Sequence, residues 1–180
     1  MESVRNALPV AAVSTRIAQA DDAYLVHALY AATPGYFDII SIPIPTLEEV
    51  RTEIAAAERD ERRKIELVIE RERPPFAQAD ACFDAASGGW VVAYLDYKID
   101  YPEPGDATVN LLLVHGALQD RGIGRLAVRD LERRLRGSVQ RVLASIYGRN
   151  PGARRFWEGL GYTFAIDARP ILDWYAKALT

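Results

Sequence analysis

The chain has 180 residues, 49% of them hydrophobic and 26% charged, with a formal net charge of -3. This length suits one domain with a sizeable core, and the composition excludes a disordered chain. The mildly acidic balance speaks against a nucleic-acid surface, and the single cysteine, Cys82, excludes an internal disulfide and suits a reducing compartment.

Residues 1–10 read as a loose tail and 11–180 as a single domain. The N-terminus lacks a basic region followed by an apolar core, and no apolar run has the length of a membrane span. A cytoplasmic protein without a membrane partner is expected. So few sulfur and imidazole ligands make a metal site unexpected.

Ala11 to Ile17 predicts a first strand. Asp21 or Asp22 then caps a helix with the stripe Leu25, Ala28, Leu29 and Ala32. His27 lies off that stripe and reads as a surface histidine. Thr33 to Asp38 breaks the helix, and the two prolines between Ile39 and Pro45 predict a packed loop. Thr46 and Glu49 form a capping box ahead of the stripe Leu47, Val50, Ile54 and Ala57. Between Asp60 and Arg73 the Glu and Arg content suits a helix, but Ile65, Leu67 and Ile69 alternate with charged residues. The alternation favours a strand, which Pro74 ends. Ala79 to Ala85 and Trp90 to Asp100 read as a hairpin about Ser87-Gly88-Gly89. Thr108 to Val114 is the next strand.

That strand leads into the stretch around which the chain is organised. Leu111 to Val114 runs into a loop ending at Gly122 and Gly124. The helix behind carries Ile123, Leu126, Ala127, Leu131 and Leu135 on one face, and Gly137 stops it. The basic run Arg133 to Arg136 is its solvated end. The first N–H groups of a helix have no partner inside it, and the dipole adds positive potential there. Strand, glycine loop and helix start therefore form a backbone cradle for a phosphate. The alternative is a tight turn that needs glycine for its dihedrals alone. A nucleoside-triphosphate loop is excluded, because no Gly-Lys-Ser/Thr ending follows, and the three-glycine dinucleotide fingerprint is missing. Farther on, Arg141 to Tyr147 is a strand. Asn150 caps a helix with Pro151 at its first position, burying Ala153, Phe156, Trp157 and Leu160 before Gly161. Tyr162 to Ile166 and Ile171 to Leu179 make two closing strands about an Asp167 to Pro170 turn.

Gln119-Asp120-Arg121-Gly122-Ile123-Gly124 resembles the Arg/Gln-x-x-Gly-x-Gly/Ala signature of the GNAT superfamily of acyl-CoA N-acetyltransferases. Asn150 to Tyr162 resembles that family's second signature, Asn-x-x-Ala-x-x-Phe-aromatic-x-x-x-Gly-aromatic. The resemblance is firm from about Trp90 onward and looser before it. It implies an α/β fold: one mixed, twisted sheet of about six to seven strands with helices on both faces. It also implies acetyl-CoA as co-substrate, an amine acceptor of unknown identity, no metal, and a monomer or homodimer.

By the same resemblance, Leu112, Leu113, Val114, Gln119, Asp120, Arg121, Gly122, Ile123, Gly124, Arg125, Asn150 and Trp157 contact the coenzyme. The Val114 N–H would stabilise the oxyanion. Tyr36, Phe37 and Asp38 would line the acceptor pocket, although a hydrophobic loop plug is an equal reading of them. Arg154 could reach the phosphates or stay solvated. The usual catalytic positions depart from the family pattern. Trp157 stands where a proton-donating tyrosine is usual, and Asn110 and Ser145 stand where relatives carry bases. Tyr147, Asp96 and His115 are the candidate replacements. The implied reaction is attack of a primary amine of a small molecule or peptide on the thioester within a ternary complex. The alternative is a catalytically weak or inactive CoA-binding sensor or interaction domain.

Overall fold

The computed structural model describes residues 13–76, 79–169 and 172–179, with the side chains of 166–174 outside the description. The N-terminal tail, the start of the first strand and the turn residue Pro170 thus lie outside the described residues. Strands β1 (Val13–Ile17), β2 (Arg63–Glu70), β3 (Phe83–Asp84), β4 (Gly89–Ile99), β5 (Asp106–Val114), β6 (Arg141–Tyr147), β7 (Thr163–Arg169) and β8 (Leu172–Ala178) build one open sheet. Its order is β1-β2-β4-β5-β6-β8-β7, with the short β3 paired to β4. Every pairing is antiparallel except β5 with β6.

Helices α1 (Ala23–Ala31) and α3 (Leu47–Arg59) cover one face of the sheet, with α2 (Pro34–Ile40) between them in sequence. Their buried Leu25, Leu29, Val50 and Ile54 pack with Ile65, Leu67 and Tyr94 of the sheet. Helices α4 (Ile123–Leu135) and α5 (Pro151–Glu158) serve the other core, where Val128, Leu131, Leu135 and Trp157 meet Leu95, Val142 and Ala144. Each fully buried Leu, Ile or Val contributes roughly 1.5–3 kcal/mol. Helix α4 is also tied across the sheet by charge. Arg134 holds the buried Glu66 of β2 at 2.8 and 2.7 Å, and Glu132 meets Lys177 of β8 at 2.9 Å.

Several expectations are met. The 60–73 segment does form a strand, β2. Thr46 and Glu49 make the expected reciprocal cap, with Thr46 N–H donating to Glu49 at 2.7 Å and Glu49 N–H to the Thr46 hydroxyl at 3.3 Å.

Others are corrected. Residues 34–40 form a helix rather than a break and a loop, because Pro34 sits in its first turn, where a missing N–H costs nothing. A 3₁₀ turn over Ala20–Asp22 precedes α1, and Asp22 does not cap that helix with its side chain. Its carboxylate accepts from Gln19 N–H at 2.8 Å and grips Arg16 at 2.7 Å. His27 is half-buried rather than a surface residue. The expected strand at 79–85 is mostly a 3₁₀ turn over Ala79–Cys82, leaving only Phe83 and Asp84 paired. Leu126 is only half-buried, and Val128 takes its place in the core. Strand β7 runs on to Arg169, so Asp167 to Arg169 are strand, not turn.

The register between β5 and β6 positions the candidate site. β5 and β6 pair only from Asp106↔Arg141 to Val109↔Ala144. Beyond that point both strands continue, β5 along β4 as far as Val114 and β6 along β8 as far as Tyr147. The two strands therefore open into a V. Arg141 closes its base, donating to the Asp106 carboxylate at 2.6 and 2.9 Å.

Candidate active site

The V opens into a cavity of about 860 Å³ walled by β5, β6 and the starts of α2, α4 and α5. The first residues past its vertex are Asn110 on β5 and Ser145 on β6, and both line it. His115 N–H donates to the Val92 carbonyl at 2.9 Å, which makes Ala93 and Val114 a pair without mutual hydrogen bonds. Leu95 and Leu112, two residues along, are another such pair. The backbone N–H and C=O groups of Leu112 and Val114 therefore turn away from β4 into the V. Leu113 has the opposite phase, and its side chain, 4% exposed, belongs to the core beneath α1.

At the mouth of the V stands the start of α4. Gly122 is its N-cap with φ 84°, a left-handed conformation that suits glycine. The first bond within the helix runs from Leu126 N–H to the Gly122 carbonyl at 3.0 Å. The N–H groups of Ile123, Gly124 and Arg125 thus have no acceptor inside the helix, and no side chain caps them. Gly124 serves a different need from Gly122. A Cβ there would lie 3.3 Å from two ring carbons of Phe156 and 3.4 Å from a methyl of Val114. So Gly122 answers to a dihedral and Gly124 to close packing of α4 against α5 and β5. Gly122 thus meets the turn reading, while the open N–H groups beside it are the geometry that a cradle requires.

Gln119 and Asp120 continue the wall, Gln119 donating from Nε2 to the Val114 carbonyl at 3.2 Å. Arg125 lines the cavity, whereas Arg121 is exposed and off its wall. On the far side Asn150 both lines the cavity and caps α5, its Oδ1 accepting from Ala153 N–H at 2.9 Å. Trp157 lines it too, 5% exposed, with its ring edge-on to Tyr162 at 4.9 Å. Arg154 is not on the wall, and its guanidinium lies 5.9 Å from the centre of the Tyr175 ring.

The other end of the cavity holds two phenols. Tyr147 ends β6 at 40% exposure, and burial, then the nearby charges of Tyr101 and Asp96, raise its pKa. Tyr36 of α2 is pushed up to about 12, chiefly by burial and next by Tyr147. Both keep their protons at neutral pH. Of the three residues expected around the acceptor, Tyr36 alone reaches the wall. Phe37 is a core residue packed on Tyr30 at 5.1 Å, and Asp38 is exposed and off the wall. Ile39, which sequence reasoning placed only in a loop, does line the cavity. Its neighbour explains the placement: a Cβ on Gly148 would lie 2.9 Å from the Ile39 carbonyl, so the glycine after Tyr147 lets α2 close onto β6.

The remaining candidates are not on the wall. His115 is buried, its ring stacked on Phe76 at 4.0 Å, and burial lowers its pKa. Its Nδ1 accepts from Ala117 N–H at 3.2 Å. Asp96 is 3% exposed, and its carboxylate accepts from Arg63 at 3.1 and 2.5 Å and from Asn110 Nδ2 at 3.2 Å. Among the described residues, no group of three or more His, Cys, Asp or Glu could hold a metal ion. No helix among them is long and apolar enough to cross a membrane.

A V between two parallel strands, capped by unpartnered helix N–H groups, can take an extended anionic molecule bearing amides. Comparison with known proteins agrees. Residues 44–162 match the Acetyltransferase (GNAT) family. An acetyltransferase from Thermus thermophilus is 33% identical, with a TM-score of 0.82 over 96% of this chain and 100% of its own. Two more distant structures share the fold. The yncA protein of Salmonella typhimurium, a structure holding acetyl-CoA, is 17% identical with a TM-score of 0.62 over 94% and 95% of the two chains. The PaiA N-acetyltransferase of Thermoplasma acidophilum, in complex with coenzyme A, is 12% identical with a TM-score of 0.63 over 93% and 99%. Among curated proteins, none matches. With two thirds of its length matched by the family and a relative 33% identical over 96% of the chain, this chain belongs to the GNAT acetyltransferase family.

Proposed function

We propose that the protein is an N-acetyltransferase that moves the acetyl group of acetyl-CoA to a primary amine of a small molecule or peptide by direct attack. The observation that carries this reading is the set of free N–H groups at Ile123, Gly124 and Arg125, placed at the mouth of the β5/β6 V. They would take the pyrophosphate, with Gln119 and Asp120 beside it. The pantetheine arm would enter the V and pair with the inward backbone of Val114 and Leu112, as a partial extra strand.

The position of the thioester follows from the direction of entry. Val114 touches the start of α4 and so lies at the phosphate end. Leu112 and Asn110 lie about 7 and 13 Å farther into the V at roughly 3.3 Å per residue. The Leu112 N–H is therefore better placed than that of Val114 to meet the developing oxyanion. The amine attacks the thioester carbon, the C–S bond breaks, and the thiolate takes a proton. Tyr147 lines the deep part of the V and has a proton to give. Trp157 does not, because an indole N–H donates a hydrogen bond without useful acidity. The acceptor must be neutral to attack. An amine with a lysine-like pKa near 10.4 loses about 4.6 kcal/mol to deprotonation at pH 7.

The co-substrate requires no metal. The lone Cys82 is buried and suits the cytoplasm as the place of action. The test is amine-dependent thiol release from acetyl-CoA across polyamines, aminoglycosides, amino acids and peptide N-termini. The reading predicts release with at least one class. Tight binding of acetyl-CoA with no amine-dependent release would instead favour a CoA-binding sensor. The commitment of Asp96 to Arg63 is the feature on which that second reading would rest.

A further inference from the structure

Asn110 occupies the vertex of the V, about 7 Å beyond Leu112, where the preceding reading puts the thioester. Behind it runs a chain of fixed charges. Asn110 meets Asp96 of β4, Asp96 is held in two-pronged fashion by Arg63 of β2, and Arg63 also grips Glu53 of α3 at 2.7 Å. Both oxygens of Asp96 accept from the Arg63 guanidinium, and Oδ1 accepts from Asn110 as well. The amide of Asn110 can therefore meet it in one sense only, with Nδ2 donating. The Oδ1 atom of Asn110 is left for the cavity.

An amide oxygen at this point can accept an N–H and aim the nitrogen lone pair, but it cannot hold a proton. Its surroundings do not supply a base either. Among the described residues lining the cavity, the only charged ones are Asp120 and Arg125, both beside the phosphate cradle. The deep end offers Asn110, Ser145, two protonated phenols and apolar side chains such as Ile39 and Leu111. The nearest carboxylates, Asp96 and Glu53, stand behind the wall and are both engaged by Arg63, so neither is presented to a strongly basic ammonium. At pH 7 an α-amine of pKa near 7.8 is neutral roughly 300-fold more often than an alkylamine of pKa near 10.4.

We propose that Asn110, its amide locked by Asp96 and Arg63, receives the N–H of the acceptor through Oδ1, and that the acceptor is a weakly basic amine with an uncharged substituent. In this account Asn110 contacts the substrate, and Asp96 is a positioning residue acting through it. The inference rests on the acetyltransferase reading. The amine arrives neutral, forms the new N–C bond, and releases its extra proton to water, while the C–S bond breaks and the thiolate is protonated.

The experiment compares L-phenylalaninamide with phenethylamine, which share the phenethylamine skeleton and differ by the uncharged α-carboxamide that lowers the basicity of the amine. The wild type is expected to prefer phenylalaninamide at pH 7 by at least roughly tenfold in kcat/KM. Asn110→Ala should raise the KM for phenylalaninamide about tenfold while leaving acetyl-CoA affinity within about twofold by calorimetry. Asp96→Asn, which frees the amide to turn, should shift the same KM in the same direction. Asn110→Ala, which leaves the Asp96–Arg63 pair in place, keeps the test decisive if Asp96→Asn does not fold. An unchanged KM in Asn110→Ala overturns the inference, as does a preference for phenethylamine or release with polyamines alone. Each of those results leaves the acetyltransferase reading standing. Absence of thiol release with every amine in the wider panel sinks that reading itself, and this inference with it.

Discussion

Gly124→Glu puts a side chain at the tightest point of the cradle. Its Cβ alone would lie 3.3 Å from two carbons of the Phe156 ring and 3.4 Å from a Val114 methyl. Replacing a helical glycine gains up to about 1 kcal/mol in helix propensity, while forcing extra carbon into a packed contact costs about 1–3 kcal/mol. The net loss of stability should therefore be small, about 0–2 kcal/mol, and the variant should stay folded. Coenzyme binding should suffer far more. A carboxylate about 4 Å from a phosphate charge is repelled by about 1 kcal/mol in water and about 4 kcal/mol near a protein surface. Acetyl-CoA affinity should fall on the order of 10²-fold or more, since about 1.4 kcal/mol corresponds to a factor of ten. Calorimetric titration with acetyl-CoA, alongside thermal melts, measures both effects. Gly124→Ala separates bulk from charge and should lose affinity much less. If Gly124→Glu melts normally and keeps wild-type affinity, the phosphates bind elsewhere and the cradle argument is refuted.

The two aromatic residues beside the thioester end should part company under substitution. Tyr147→Phe should keep its melting temperature and lose turnover on the order of 10²-fold, as removal of a general acid does. Trp157→Phe should lose stability modestly and keep most of its turnover, while Trp157→Ala should cost about 3–5 kcal/mol in a denaturant titration. A dead but folded Trp157→Phe beside a normal Tyr147→Phe would reverse the assignment. Asn150→Ala should cost about 1 kcal/mol through its cap and weaken coenzyme binding as well. The rate at saturating acetyl-CoA should climb with pH until the amine's own pKa, and a flat profile from about pH 6 to 9 with a strongly basic amine would reveal a hidden base. Burial lowers the pKa of His115, so the unfolded chain binds the extra proton first. The stability this histidine contributes is present above about pH 6.5 and is lost as pH falls through its lower folded value. Melting temperatures taken down that range should fall less steeply in His115→Phe.

The signals of the candidate coenzyme site are legible because they are local. Glycine spacing, an asparagine cap with Pro151 behind it, and a helical stripe are each written within about one or two turns of chain. Gly122 and Gly124 form one local pattern, yet their separate reasons depend on φ at one and on Phe156 at the other, 32 positions away in sequence. The V itself is not written in any one stretch of sequence. Where β5 and β6 stop pairing is a matter of register between strands separated by α4, and no local pattern encodes it. The acceptor half was least legible. Pro34 reads as a breaker but begins α2, which brings Tyr36 and Ile39 to the cavity and turns Phe37 into the core. Asp96 could be named as a carboxylate on a strand. Its engagement depends on Arg63 of a neighbouring strand, 33 residues away, and that contact turns a candidate base into the anchor of Asn110.

The central claim, transfer of acetyl from coenzyme A to an amine within this V, is tested most directly with acetyl-CoA carrying carbon-13 in its carbonyl. The labelled coenzyme is incubated with L-phenylalaninamide and the wild-type protein, and the carbonyl signal is followed by NMR. The account predicts that the thioester resonance is replaced by that of an amide bonded to the acceptor nitrogen, at a rate that scales with protein concentration. A thioester signal that persists with bound coenzyme, or that passes only to free acetate, would contradict it.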